Sequence, residues 1–171
     1  MNPLIRKGIR ENLRLKHLVA AGLFSLIVCS TLYLTAYLNG SEGKWDRDPI
    51  TNDWVKSESS PVNGARNAFT FLLALQGFYL MFLGTGRVAS ITAEERESGL
   101  LDYQRMTPMN PLSKIIGYVG GIPAREYYMF FFTLPFLGHA ILVGKLPLAN
   151  IIQLYSVFFC SVILYHLTAH A

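Results

Sequence analysis

The chain has 171 residues, of which 51% are hydrophobic and 15% charged, and a formal net charge of +4. That balance points away from a soluble domain and toward the membrane class, and the basic residues neither cluster with aromatics nor share one polar domain, which argues against a nucleic-acid partner. Cys29 and Cys160 both fall inside apolar runs, where packing is expected of them rather than a disulfide or a metal site.

Polar residues concentrate in three blocks, the N-terminal tail, Asn39 to Asn67 and Arg87 to Lys114. Such blockiness is the mark of a polytopic membrane protein. In the tail, Ile5, Ile9 and Leu13 recur at spacing four beside Arg6, Arg10 and Arg14, which predicts an interfacial amphipathic helix over 1–17 with its arginines on anionic lipid. A disordered basic tail is the alternative. Residues 18–38 carry no charge, and at about 1.5 Å rise per residue they are long enough to cross a hydrocarbon core of about 30 Å. This first span is too long for the apolar core of a signal peptide and lacks a small-x-small cleavage site, and Leu26-Ile27-Val28 before Cys29 does not fit a lipoprotein signal.

Residues 39–67 read as an external loop, broken by Gly40, Gly43, Pro49, Pro61 and Gly64, with Trp45 and Trp54 as interface anchors. Residues 68–86 form the second span, closed by Arg87. Its tail, Gly84-Thr85-Gly86, imitates a dinucleotide fingerprint without the strand that such a site requires, so helix packing or termination is expected of these glycines. Within the next polar region, 87–126, Asn110 and Pro111 predict a helix start. Ile115 to Ala124 is too short to span, and Gly117 and Gly121 suit close helix approach, giving either a helix at the membrane edge or the first turns of the next span, with Pro123 as a kink or break. The third span is 127–144, with Tyr127 and Tyr128 at the interface and Pro135 as its expected kink. His139 lies inside it and is expected to be a hydrogen-bonded packing residue. Lys145-Leu146-Pro147 makes a turn into the fourth span, 148–169. Gly138 to Lys145 has one residue too many for a phosphate-binding loop, and Leu146 stands where its Ser or Thr should be. The expected fold is therefore all-α, a polytopic transmembrane helix bundle of four spans and one membrane domain, and no enzyme activity is expected of it.

Five Lys or Arg residues in the first sixteen positions, against four in the twenty-nine of the 39–67 loop, predict a cytosolic N-terminus. Four crossings then place 87–126 in the cytosol. Within that region Thr92-x-x-Glu95 has the form of a capping box, Glu94, Glu95 and Glu97 suit a first helical turn, Leu100, Tyr103 and Met106 share a face, and Thr107-Pro108 is a stop. The expectation is a short helix starting at Thr92, with a docking element preferred over a solvated loop or a catalytic cluster. An intramembrane enzyme using His139, His166 or His170 ranks last, since no acidic residue accompanies these histidines in the apolar runs.

Glu95-Arg96-x-x-Gly99-x-Leu101-Asp102 followed by Thr107-Pro108 resembles the E-R-x-x-G-T-L-E and T-P pattern of type-2 ABC transporter permeases, with Leu100 in place of the usual Thr. Lys114-Ile115-Ile116-Gly117 resembles the opening of the next helix in that family, and Asn2-Pro3 with Ile9-Arg10 resembles the start of some members, although Gly8 stands where Glu is frequent. The resemblance implies that residues 91–108 are a coupling helix docking into a separate ATPase subunit. Thr92, Glu95, Arg96, Gly99, Leu100, Leu101, Asp102, Thr107 and Pro108 are the implied coupling residues. It further implies a second permease subunit, ATP and Mg²⁺ held by the partner ATPase with no cofactor or metal in this chain, and residence in a prokaryotic inner membrane, the direction of transport being export. The family has six spans per subunit, so a four-span chain is expected to be an N-terminal fragment. A non-transporting membrane anchor or scaffold is the alternative.

Overall fold

A computed structural model describes residues 15–43, 45–47, 53–99 and 111–170. Four of its helical stretches are long and apolar enough to cross a membrane: His17–Ser41, Pro61–Glu97, Ala124–Gly144 and Leu148–His170. The charge-free runs force this outcome, because in lipid each backbone N–H and C=O must find its partner within its own segment. The fold is an all-α membrane bundle. The interfacial helix expected over 1–17 lies almost wholly outside the described residues, as do Arg6, Arg10 and Arg14.

The first span is α1 (Leu15–Ser41). The polar stretch after it is not simply a loop. Trp45–Arg47 (β1) and Trp54–Lys56 (β2) pair antiparallel, with Asp46 opposite Val55. The next helix then starts at Pro61, seven residues ahead of the expected span, because Ser60 has the extended backbone of an N-cap, its hydroxyl accepts from the Asn63 amide, and proline fits the first turn. The Ser60 amide also donates to the Ser41 carbonyl at 3.0 Å, closing the hairpin of spans.

The second span is one long helix in three registers: α2 (Pro61–Gly77), a π-helical stretch (Phe78–Gly84) and α3 (Thr85–Glu97). Gly84-Thr85-Gly86 does not terminate it. Its 37 residues measure about 55 Å at about 1.5 Å each, against a hydrocarbon core of about 30 Å. The Glu97 end therefore projects beyond the apolar layer.

A separate helix, α4 (Pro111–Gly121), ends at a turn through Ile122 and Pro123. The third span follows in two pieces, α5 (Ala124–Phe131) and α6 (Leu134–Gly144). Its discontinuity is the turn at Phe132–Thr133. Pro135, the expected kink, follows directly: it has no N–H for the Phe131 carbonyl and occupies the first turn of α6. The fourth span is α7 (Leu148–His170).

Side chains are buried in four clusters along the bundle. One joins Cys29, Leu72, Leu75, Tyr79 and Met129, and a second, rich in small residues, joins Tyr33, Ala36, Ala68 and Ala140. Small residues let backbones approach, so Asn67 reaches the Ala36 carbonyl at 2.7 Å and Arg66 the Gly144 carbonyl at 3.0 Å. A third joins Leu80, Phe158 and Val162, and the fourth, at the Glu97 end, joins Val88, Tyr118 and Ile122. Leu142, Phe82 and Val157 are among the apolar side chains left facing outward, as lipid contact allows. Both cysteines are free thiols, Cys29 buried and Cys160 exposed.

Candidate functional site

The first half of the charged segment is the projecting end of the second span. Thr92 is not an N-cap. It lies in the interior of α3, where the helix arriving from the membrane already satisfies the backbone groups that a capping box would serve. Val88, Thr92 and Glu95, spaced by four and three, form the buried face of α3. Glu94, Arg96 and Glu97 are exposed.

Glu95 is buried, at 8% exposure, and accepts a hydrogen bond from the Tyr118 hydroxyl of α4. The Tyr118 ring stacks on His170 of α7, with centroids 3.9 Å apart. Thr92 Oγ1 completes the arrangement 3.5 Å from His170 Nδ1. Three separate elements are thus keyed together by the two residues expected to cap a helix. The helix instead ends here: the Ser98 amide returns to the Glu94 carbonyl, the Gly99 amide to Arg96, and Gly99 takes φ +71. A left-handed residue directly after the C-cap is the usual place for glycine, since a Cβ there meets its own backbone. Leu100, Leu101, Asp102, Thr107 and Pro108 lie outside the described residues.

A second polar layer lies one to two turns deeper. Gly84 faces His166, and a Cβ at Gly84 would sit 2.8 Å from His166 Nε2. Only a bare backbone lets the imidazole come close enough to contact the Leu80 carbonyl at 3.1 Å. Leu80 belongs to the π-helical stretch, a feature that recurs at functional sites. His166 Nδ1 is 3.4 Å from the Tyr127 hydroxyl, which is also 3.2 Å from the Val119 carbonyl. Next to Tyr127, Glu126 has its side chain fully buried, with Oε1 3.1 Å from Arg125 Nη2 and Oε2 without a hydrogen-bond partner among the described residues.

A third layer lies where the second span changes register and the third span breaks. Gln76, the penultimate residue of α2, donates from Nε2 to Thr133 Oγ1 at 2.7 Å and accepts from the Tyr155 hydroxyl. Thr133 donates to the Phe130 carbonyl at 2.7 Å, closing the break between α5 and α6. His139, by contrast, meets Tyr33 Oη at 2.7 Å beside an open groove of about 480 Å³ lined by Tyr33, Leu34, Tyr37, Pro135, Phe136 and His139.

His166 and His170 therefore serve different layers, and the expectation that no acid accompanies the histidines is corrected by Glu126, buried next in the chain to Tyr127, whose hydroxyl meets His166. The residue carried a signal in the sequence, as the one acid between Asp102 and the end of the chain. Tyr118 had no comparable mark. Among the described residues no group of three or more His, Cys, Asp or Glu is arranged to hold a metal ion. Comparison with known protein families, with curated proteins and with solved structures finds no match to this chain, so its function is argued from these residues themselves.

Proposed function

We propose that the chain is the membrane permease subunit of an ATP-driven exporter, its charged segment serving as the contact for a separate ATPase subunit in the cytosol of a prokaryote. The observation that carries this reading is the unbroken helix Pro61–Glu97, which crosses the membrane and delivers the Glu95-Arg96-x-x-Gly99 sequence at its projecting tip. A continuous helix transmits displacement along its axis, whereas a loop absorbs it. Glu95 anchors the tip to Tyr118, and through the stacked His170 to the fourth span, so a push at the tip reaches two crossings together. Glu94, Arg96 and Glu97 are exposed at the tip, on the side that the partner would approach. The five basic residues of the tail supply the orientation, with the tip on the cytosolic side. ATP and Mg²⁺ belong to the partner subunit, and a second permease subunit completes the transporter.

Reversing charge at the exposed tip, with Arg96→Glu together with Glu97→Arg, leaves the buried Glu95 joint in place. The doubly substituted chain should insert normally and lose at least tenfold of its co-purification with the ATPase encoded nearest to its own gene. Association unchanged within error would overturn the docking role and leave a membrane anchor as the better reading.

A further inference from the structure

The layer around His166 is short of one proton. Its hydrogen-bond inventory contains three acceptors, the Leu80 carbonyl, the Val119 carbonyl and one nitrogen of the neutral imidazole, but only two protons, one on the ring and one on the Tyr127 hydroxyl. With the ring proton on Nε2, Leu80 is satisfied at 3.1 Å, and the single Tyr127 proton must then choose between Nδ1 and Val119. With the ring proton on Nδ1, Tyr127 accepts it and donates to Val119, but the Nε2 lone pair is left facing the Leu80 oxygen. Neither neutral form closes the network.

The Val119 carbonyl has a backbone reason to need a side-chain donor. Pro123 stands four residues after Val119 and has no N–H to return to it. One added proton resolves all three contacts: Nε2–H to Leu80, Nδ1–H to Tyr127 Oη, and Tyr127 O–H to Val119. The charge it brings also has a counter-ion at hand, since Glu126 is fully buried, next in the chain to Tyr127, and its Oε2 is unpartnered among the described residues.

We propose that His166 is a proton-binding site, with Glu126 as its counter-ion and Tyr127 as the relay that closes the network when the proton is bound. The proton comes from water and goes to the imidazole as a simple acid–base step, with no other bond made or broken. Once bound it ties the π-helical part of the second span, α4, α5 and α7 into one unit, and its loss gives up one of these contacts.

Other titratable groups facing α7 at this end are few. The neighbouring α3 brings Arg87 and Glu95, the latter engaged with Tyr118 of α4. The π-helical stretch brings Tyr79, which packs into the Cys29 cluster, α5 brings Arg125 and Glu126, and His170 on α7 itself stacks on Tyr118. Glu126 is therefore the acid whose removal should be felt at His166. The proposal stands on this geometry alone and is independent of any ATPase partner.

The test is nuclear magnetic resonance of the full chain in lipid nanodiscs with isotope-labelled histidine, the His166 signals being assigned by their loss in His166→Gln, titrated from about pH 8 to about pH 5. The imidazolium form of His166 should grow as the pH falls, and at a given pH within the transition its ratio to the neutral form should be about tenfold smaller in Glu126→Gln. Tyr127→Phe should reduce it in the same direction. A ring that stays neutral throughout in the unsubstituted chain overturns the proposal, and so does an imidazolium ratio equal in that chain and in Glu126→Gln.

Discussion

Two of the polar networks buried in this bundle differ in how their protons match their acceptors. Around Gln76 every acceptor has a donor: Tyr155 donates to the amide oxygen, the amide nitrogen donates to Thr133, and Thr133 donates to Phe130. Around His166 two protons are divided among three acceptors, with an ionisable acid alongside. The first network can only hold its geometry, because any added or removed proton leaves a group unpaired in a medium without water. The second can exist in two forms. The difference follows from chemistry, amide and hydroxyls in one and imidazole, phenol and carboxylate in the other, and it assigns the Gln76 layer to the fixed frame and the His166 layer to the part that changes.

The largest effect expected from breaking this contrast comes from Gly84→Ala. A methyl group 2.8 Å from His166 Nε2 must displace a fully buried ring and take it off the Leu80 carbonyl, so overpacking and a lost contact add to about 2–3 kcal/mol. Unfolding of the purified chain in bicelles should register the loss, and the His166 titration should change with it. Thr133→Val comes next. It keeps the side-chain shape while removing the hydroxyl between Gln76 and Phe130, at a cost of about 1 kcal/mol, since hydrogen bonds between membrane helices are modest. The Gln76 network being closed, that cost should be the same at about pH 5 and about pH 8. A cost that changes with pH would mean the two layers are not independent.

The four crossings were legible in the sequence because the bilayer admits one solution for a charge-free run of twenty residues, and their helical nature follows from backbone chemistry alone. Pro123 and the start at Pro111 were legible for the same local reasons. Thr92 and Glu95 were misread because a capping box is defined by what precedes it. Here the helix from the second span was already propagating, and extending a helix avoids the unfavourable nucleation that starting a new one requires. The Glu95–Tyr118 and Thr92–His170 pairings join residues far apart in sequence, and nothing local at Tyr118 announced them. Glu126 did announce itself, as a lone acid at the start of an apolar run, but its neighbour Arg125 made the pair look like the edge of a loop. The π-helical stretch Phe78–Gly84 left no trace in the apolar pattern, although Gly84 marked the spot where another side chain approaches.

The smallest effect is the most discriminating, because it compares the same substitution in the two networks. Tyr155→Phe removes the hydroxyl that donates to Gln76 Oε1, and should cost about 0.5–1 kcal/mol irrespective of pH. Tyr127→Phe removes a group whose importance depends on the proton at His166. When the ring is neutral, the Tyr127 proton satisfies one of two competing acceptors, and its loss leaves only one further group unpaired. When the ring is charged, the same oxygen both accepts from Nδ1 and donates to Val119, so its loss breaks two contacts. The cost of Tyr127→Phe should therefore be about 0.5 kcal/mol near pH 8 and roughly double that near pH 5, while that of Tyr155→Phe stays level. Unfolding of both variants in bicelles at the two pH values measures the difference directly. Parallel behaviour of the two tyrosines would place the His166 network with the fixed frame.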